Sequence, residues 1–290
     1  MTLNQALLSL EGLSVGDAFG ECFFHYPTEM IATRTFPPDP WRWTDDTHMA
    51  LSIVEVLRDY GYIHQDALAQ AFARRHSEDP RRGYGGGAMR LLGRVSQGND
   101  WHMVAPTLFQ GGSYGNGGAM RAAPIGGYYA GDPGRAAHEG CRSAEITHAH
   151  PEGQAGAMAV AAAAAIAAHP TKSSGADFLT AVLPFVPISL VYTGIEQAID
   201  IPPDAYTVAV EQLGTGNRVS AQDTVPYCLW CTAHHLDDYE TAMWVTVASL
   251  GDRDTTCAIV GGIVALSAGQ VPPEWVERRE PLSEIFRSEE

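Results

Sequence analysis

Residues 155–168 form a run of about 14 residues, mostly alanine, with no charge, that ends at His169. It is too short for the ~20 residues a membrane-crossing helix needs. A helix apolar all round must instead be enclosed by other helices, so this run sets the frame for the fold. Five further stretches, 6–19, 47–60, 224–235, 239–250 and 258–268, repeat apolar residues at helical spacing or are apolar throughout. Breakers separate them, among them Pro37-Pro38-Asp39-Pro40, Asp132-Pro133-Gly134 and Gly214-Thr215-Gly216. Strict alternation is scarce; only 184–192 could be misread as a strand. No repeat, heptad or linker divides the 290 residues. One all-α domain spanning 1–290 is expected, with 45% hydrophobic residues to fill its core. The acid-and-arginine stretch 274–290 is expected to be a solvated tail or surface helix.

Charge narrows the function. With 18 basic and 34 acidic residues the net charge is −16, which argues against a basic nucleic-acid surface. Lys172 is the only lysine, and no Gly-x-x-x-x-Gly-Lys-Ser/Thr motif exists, so a P-loop is excluded. Schiff-base chemistry would rest on that one loop lysine and is discounted. No Lys or Arg precedes Arg34, so no secretory leader is expected. Cys22, Cys141, Cys228, Cys231 and Cys257 are an odd set without framework spacing, as reduced buried thiols of a cytoplasmic protein would be. Cys228 and Cys231, followed by His234 and His235, resemble half a zinc site. They lie in an apolar helical run with no second ligand pair, and core packing is expected.

Four clusters carry candidate chemistry. Thr44-Asp45-Asp46-Thr47 precedes a helix; a cap explains one acid, but two carboxylates flanked by hydroxyls suit a hard cation. Asp252-Arg253-Asp254-Thr255 repeats that chemistry before another helix, and two such copies raise the case for a two-metal oxygen site. Gly111-Gly112-Ser113-Tyr114-Gly115-Asn116-Gly117-Gly118 allows close backbone approach, and a helix expected near Ala119 would add free N–H groups for an anion. Thr147-His148 with His150 stands at a helix entry, where a cap or core contact competes with a ligand role. Asp17 and Glu21, four apart, could share a helix face; Asp17 could equally bond a turn.

In order, Gly16-Asp17-Ala18-Phe19-Gly20, Trp43-Thr44-Asp45-Asp46-Thr47, Gly115-Asn116-Gly117-Gly118-Ala119-Met120-Arg121, Thr147-His148 and Gly251-Asp252-Arg253-Asp254-Thr255 resemble the ADP-ribosylglycohydrolase (ADP-ribosylhydrolase) family over about residues 10–275. The resemblance implies a roughly orthogonal helical bundle with two Mg²⁺ ions, or Mn²⁺ in their place. It implies metal ligands at Thr44, Asp45, Asp46, Asp252, Asp254 and Thr255, with Glu21, Asp45 and Asp46 as catalytic carboxylates. It places ADP-ribose against Glu21, Ser113, Tyr114, Gly115, Asn116, Gly117, Gly118, Met120 and His148. The implied reaction is hydrolysis of the glycosidic bond between ADP-ribose and a protein, nucleic-acid or small-molecule acceptor. A catalytically silent ADP-ribose binder and a metal-dependent nucleotide-diphosphate phosphohydrolase are the alternatives.

Three positions depart from the family pattern. The glutamate expected four residues after Gly20 is Phe24, leaving Glu21 to substitute or the role unfilled. The Gly-Gly-Asp before the second cluster reads Leu250-Gly251-Asp252, and Arg253 stands between two implied ligands. By the resemblance, some relatives acting on arginine-linked ADP-ribose carry an aspartate where this chain has Ser113, so an O-linked substrate is implied.

Overall fold

All six apolar stretches are helices in the computed structural model, which describes residues 2–169 and 174–282. The protein is 68% helical and, among the described residues, contains no sheet; Trp41 to Arg279 and Gly115 to Ser220 are isolated bridges. Seven helices position the site. They are α1 (Leu3–Cys22), α2 (Asp45–Tyr60), α3 (Pro133–Glu145), α4 (Pro151–Ala167), α5 (Ala221–His234), α6 (Tyr239–Val247) and α7 (Arg253–Ala268). The alanine run is the central helix α4: Ala155, Ala157, Ala159 and Ala161 to Ala165 are fully buried, with α3, α5 and α7 packed around it. Alanine's small side chain lets those neighbours approach from every side. Residues 184–192 form a 3₁₀ turn (Leu183–Phe185) leading into a helix at Leu190, not a strand.

The closest helix pair is α1 on α7, and glycines decide its spacing. Gly12, Gly16 and Gly20 recur every fourth residue on α1. A Cβ at any of them would run into the α7 backbone, at Gly261, Cys257 and Arg253 respectively. Helices in such contact carry their termini together, so Gly20 sets the first turn of α7 against the end of α1. That placement brings Asp254 toward Asp17 and the first turn of α2, whose charges bear on it.

Of the two expectations for 274–290, the described part takes the helical one: Pro273–Arg278 is a short surface helix, held to the body and not left as a solvated tail. Trp275 is fully buried, in edge contact with Trp41 and Tyr239 and tilted against Phe19. Trp41 N–H donates to Arg278 O at 2.7 Å, and Glu280 N–H donates to Trp41 O at 2.7 Å. A single large aromatic outweighs the polar composition around it, because burying its surface stabilises far more than exposed charges do. Residues 283–290, the rest of that stretch, and Lys172 lie outside the described residues. Cys228 and Cys231 pack inside α5 in the core; of the five free thiols only Cys141 is half-buried. No described helix is long and apolar enough to cross a membrane.

Candidate active site

Thr44 caps α2, accepting from Asp46 N–H, and puts Asp45 and Asp46 into the first helical turn. What fixes that turn is Asp17. Its fully buried carboxylate accepts from the backbone N–H and the hydroxyl of both Thr44 and Thr47, at 2.5–3.1 Å. Burial pushes Asp17 up to about 6, and these donors hold it from rising further. Of the two sequence readings of Asp17, the structure shows the bonding one. It locks the entry to α2 from the far side, with no face toward the cavity.

The second cluster opens α7. Asp252 is its N-cap residue and accepts from Asn116 Nδ2 at 2.7 Å; Asn116 also donates to Thr224 Oγ1 at 3.1 Å. Asn116 thus ties the glycine loop to the acids of α7. Arg253 points away from them: its guanidinium donates to Phe23 O and lies 4.1 Å over the ring of Phe24. The inward-pointing arginine that would weaken a cation site is therefore not what forms. Phe24, standing where the family has glutamate, serves as its platform.

Asp45, Asp46, Asp252, Asp254 and Thr255 meet in one cavity of about 390 Å³. Asp46 Oδ1 and Asp254 Oδ1 are buried and have no hydrogen-bond partner among the described residues. Burial first, then repulsion from Asp17 and Asp252, pushes Asp45 up to about 7. Burial and neighbouring acids raise Asp46 and Asp254 well above the usual carboxylate range as well. Crowded anions with orphaned oxygens are an unbalanced arrangement that a cation relieves. The donor set is all oxygen, as hard divalent ions prefer, and in that respect it fits Mg²⁺ or Mn²⁺. Among the described residues no three His, Cys, Asp or Glu side chains already close on one point. The carboxylates offer charge and free oxygens, not a finished ligand cage.

The opposite wall is the glycine loop. Ser113, Tyr114, Gly115, Asn116, Gly117 and Met120 line the cavity, while Gly118 is turned toward Ala144 and Gly153. The helix expected at Ala119 begins at Ala123; residues 116–118 form a 3₁₀ turn instead, so that helix does not start at the loop. Pro124 at the second helical position and two turns of small residues explain the delay. Behind the loop, fully buried Arg121 donates to Gly117 O, Ser143 O and Thr147 Oγ1 at 2.9–3.0 Å. Thr147 Oγ1 is in turn hydrogen-bonded to His148 Nδ1 at 2.7 Å. That bond orients the ring so that Nε2 stands beside Gly115 and Gly117. Burial, then Arg121, pushes His148 down to about 3, so it is neutral. His150, by contrast, caps α4 by accepting from Glu152 N–H.

Glu21 and Thr44 do not line this cavity. They face a second one of about 360 Å³ that shares Asp254 and Gly83 with the first. Glu21 pairs there with His25 Nε2 at 3.0 Å.

Two pieces of the first cavity were missed in the sequence. Gly83, Gly85, Gly86 and Gly87 form a further wall, with Gly83 close over Asp45 and Tyr84 hydrogen-bonded to His48 of α2 at 3.0 Å. The signal was present: four glycines in five residues, the same pattern as 111–118. Exposed Phe109 and Val219, both with positive φ, complete the rim, and no local pattern marks them. The loop packing is testable. A Cβ at Gly117 would stand 2.8 Å from His148 Cε1, whereas one at Gly85 meets nothing within 4 Å. Gly117→Ala is expected to cost about 1–3 kcal/mol in denaturant unfolding and Gly85→Ala under about 0.5. Equal effects would mean that the loop does not sit against His148.

Comparison with known proteins bears on the family and the fold. An uncharacterized protein of Archaeoglobus fulgidus is 29% identical, with 94% of this chain and 92% of that protein covered. The ADP-ribosylhydrolase ARH3 of Homo sapiens is 26% identical over 95% of this chain and 89% of its own length. That of Mus musculus is also 26% identical, over 95% and 87%. A solved structure, an ADP-ribosylglycohydrolase-related protein complex, superposes with a TM-score of 0.64 at 24% identity, covering 96% of this chain and 93% of its own, and shares the fold. A model of the ADP-ribosylglycohydrolase family matches residues 2–288, and the chain belongs to that family.

Proposed function

We propose that this glycohydrolase is a divalent-metal-dependent hydrolase that cleaves the glycosidic bond between ADP-ribose and an acceptor, releasing ADP-ribose. One observation carries the reading: a donor-rich glycine loop and a group of crowded, partly orphaned carboxylates face each other across a single cavity. The neutral wall suits the nucleotide. His148 Nε2 offers a hydrogen bond to a phosphate or ribose oxygen, and the exposed rings of Phe109 and Tyr114 at the rim offer flat surfaces for adenine. The acidic wall suits the reacting sugar. Breaking the bond at the anomeric carbon builds positive charge on the ribose, and Asp45, Asp46 and Asp254 lie where carboxylates stabilise it. Asp45, Asp46, Asp252, Asp254 and Thr255 would hold two Mg²⁺ or Mn²⁺, which when bound supply a template for hydroxyls and an activated water. Thr44, whose hydroxyl is bonded to Asp17 and Asp46 outside that cavity, would orient the ligands rather than join them. Asn116 and Arg121, which also line the cavity, hold Asp252 and, through Thr147, His148 in register.

A catalytically silent ADP-ribose binder is the second reading, favoured by Phe24 lying under Arg253 where the family carries an acid. Both are decided by incubating the protein with ADP-ribosylated acceptors, with Mg²⁺ or with chelator, and resolving the nucleotide products. Free ADP-ribose that depends on Mg²⁺ is expected, with a melting temperature raised by Mg²⁺ through mass action. AMP as product would replace the glycosidase with a phosphohydrolase. No product with intact ADP-ribose binding would establish the silent reading.

A further inference from the structure

The second cavity is charged oppositely to the first. Besides Asp254 and Gly83 its walls carry Arg42, Arg81 and Arg82, three of 17 arginines (18 basic residues less Lys172) in a chain of net charge −16. Arg82 is a fixed part of the wall: it pairs with Asp79 at 2.9 Å, holds Glu280 with two bonds of 2.8 and 2.9 Å, and lies 3.5 Å over the ring of Trp43. Arg42 and Arg81 differ from it. Both are exposed, and neither guanidinium has an ion-pair or hydrogen-bond partner among the described residues. The one other acid on these walls, Glu21, is engaged with His25.

Position gives the arginines a meaning. If the nucleotide lies along the glycine loop and the anomeric carbon at the carboxylates, the group on the far side of the scissile bond leaves past Asp254, into this cavity. We infer that the second cavity receives the acceptor, and that Arg42 and Arg81 select an acceptor joined to ADP-ribose through a phosphate oxygen. The inference rests on the proposed hydrolysis. Guanidinium groups match phosphate with paired, charge-assisted bonds. In the step, the bond from the anomeric carbon to the phosphate oxygen breaks with its electron pair on that oxygen. Water supplies hydroxyl to the carbon, and its remaining proton passes to solvent. A phosphate leaves as a stable anion and needs no acid to protonate it. That agrees with a site whose Phe24 position lacks a carboxyl group.

The test compares ADP-ribose carrying phosphate on its anomeric oxygen with a serine-linked ADP-ribosyl peptide, using the full chain with Mg²⁺. The expected kcat/KM ratio, phosphate-linked over serine-linked, is at least tenfold. The double variant Arg42→Gln, Arg81→Gln should lower that ratio about tenfold, and Arg42→Lys, Arg81→Lys should restore part of it. Binding gives an independent readout: inorganic phosphate, titrated with ADP-ribose present, should raise the melting temperature of the natural protein and not of the glutamine variant. A ratio unchanged by the variant, or phosphate stabilisation that survives it, overturns the inference. If neither substrate is hydrolysed the proposed function fails instead, and the phosphate titration still decides whether the arginines form an anion site.

Discussion

Asp254→Asn and Asp45→Asn should each lower turnover more than ~100-fold, beyond the 10- to 100-fold typical of losing a residue that only supports a metal ligand. They should do so without unfolding the protein. Each carboxylate is buried among like charges, so its ionised form is disfavoured in the fold. Asp45 is held at about 7 against 3.8 unfolded, so the folded state binds the extra proton between those values. The metal-free fold therefore gains stability as pH falls through 7 toward 3.8 and is least stable with the group ionised. Asparagine keeps the shape and removes the charge. The metal-free variants should accordingly melt at or above the natural protein at pH 8, while losing the upward shift that Mg²⁺ gives it. Calorimetry with and without Mg²⁺, beside turnover, separates the cases. Near-normal activity with retained metal stabilisation would falsify the assignment of these acids as ligands, and a collapsed melting temperature would make them structural.

That pairing of lost function with kept stability follows from how the acids are placed, and part of it was legible in the sequence. Two carboxylates beside a threonine exceed what a helix cap uses, and this surplus marked both Asp45-Asp46 and Asp252-Asp254. What the sequence leaves open is which helix ends meet. Apolar spacing tells which face of α1 is buried, not that α7 covers it. The Gly12, Gly16, Gly20 stripe holds that information only once the partner is known, because a glycine in a helix reads locally as a weakness. Asp17 shows the same limit. Its place in a Gly-Asp motif suggested chemistry or a turn bond equally, and only the fold shows Thr44 and Thr47 surrounding it. The chain Arg121, Thr147, His148 spans 26 residues between its first two members and has no local trace at all. The burial of Trp275 was missed because composition averages over a window, whereas burial is settled by one side chain and the pocket it finds.

The linkage at the acceptor should favour oxygen over arginine by one to two decades. A guanidinium acceptor needs a carboxylate to receive its paired bonds, and such charge-assisted hydrogen bonds contribute roughly 1.5–3 kcal/mol, or about 10- to 100-fold. At the place where arginine-directed relatives carry aspartate, this chain has Ser113, whose Oγ lies in the first cavity and accepts from Gly115 N–H at 3.2 Å. A neutral hydroxyl does not replace the anion. The acids that could compensate are accounted for: Asp17 is fully buried and taken up by Thr44 and Thr47, and Glu21 is paired with His25. Arg42 and Arg81, with no ion-pair partner among the described residues, also repel a cationic acceptor from the second cavity. Hydrolysis of matched serine-linked and arginine-linked ADP-ribosyl peptides, followed as kcat/KM, measures the preference directly. Ser113→Asp tests the two walls against each other: a narrowed preference would put the acceptor at the glycine loop, an unchanged one in the second cavity. Arginine release as fast as serine release in the natural protein would show that another acid receives the guanidinium, and Glu21→Gln would then identify it if arginine turnover alone were lost.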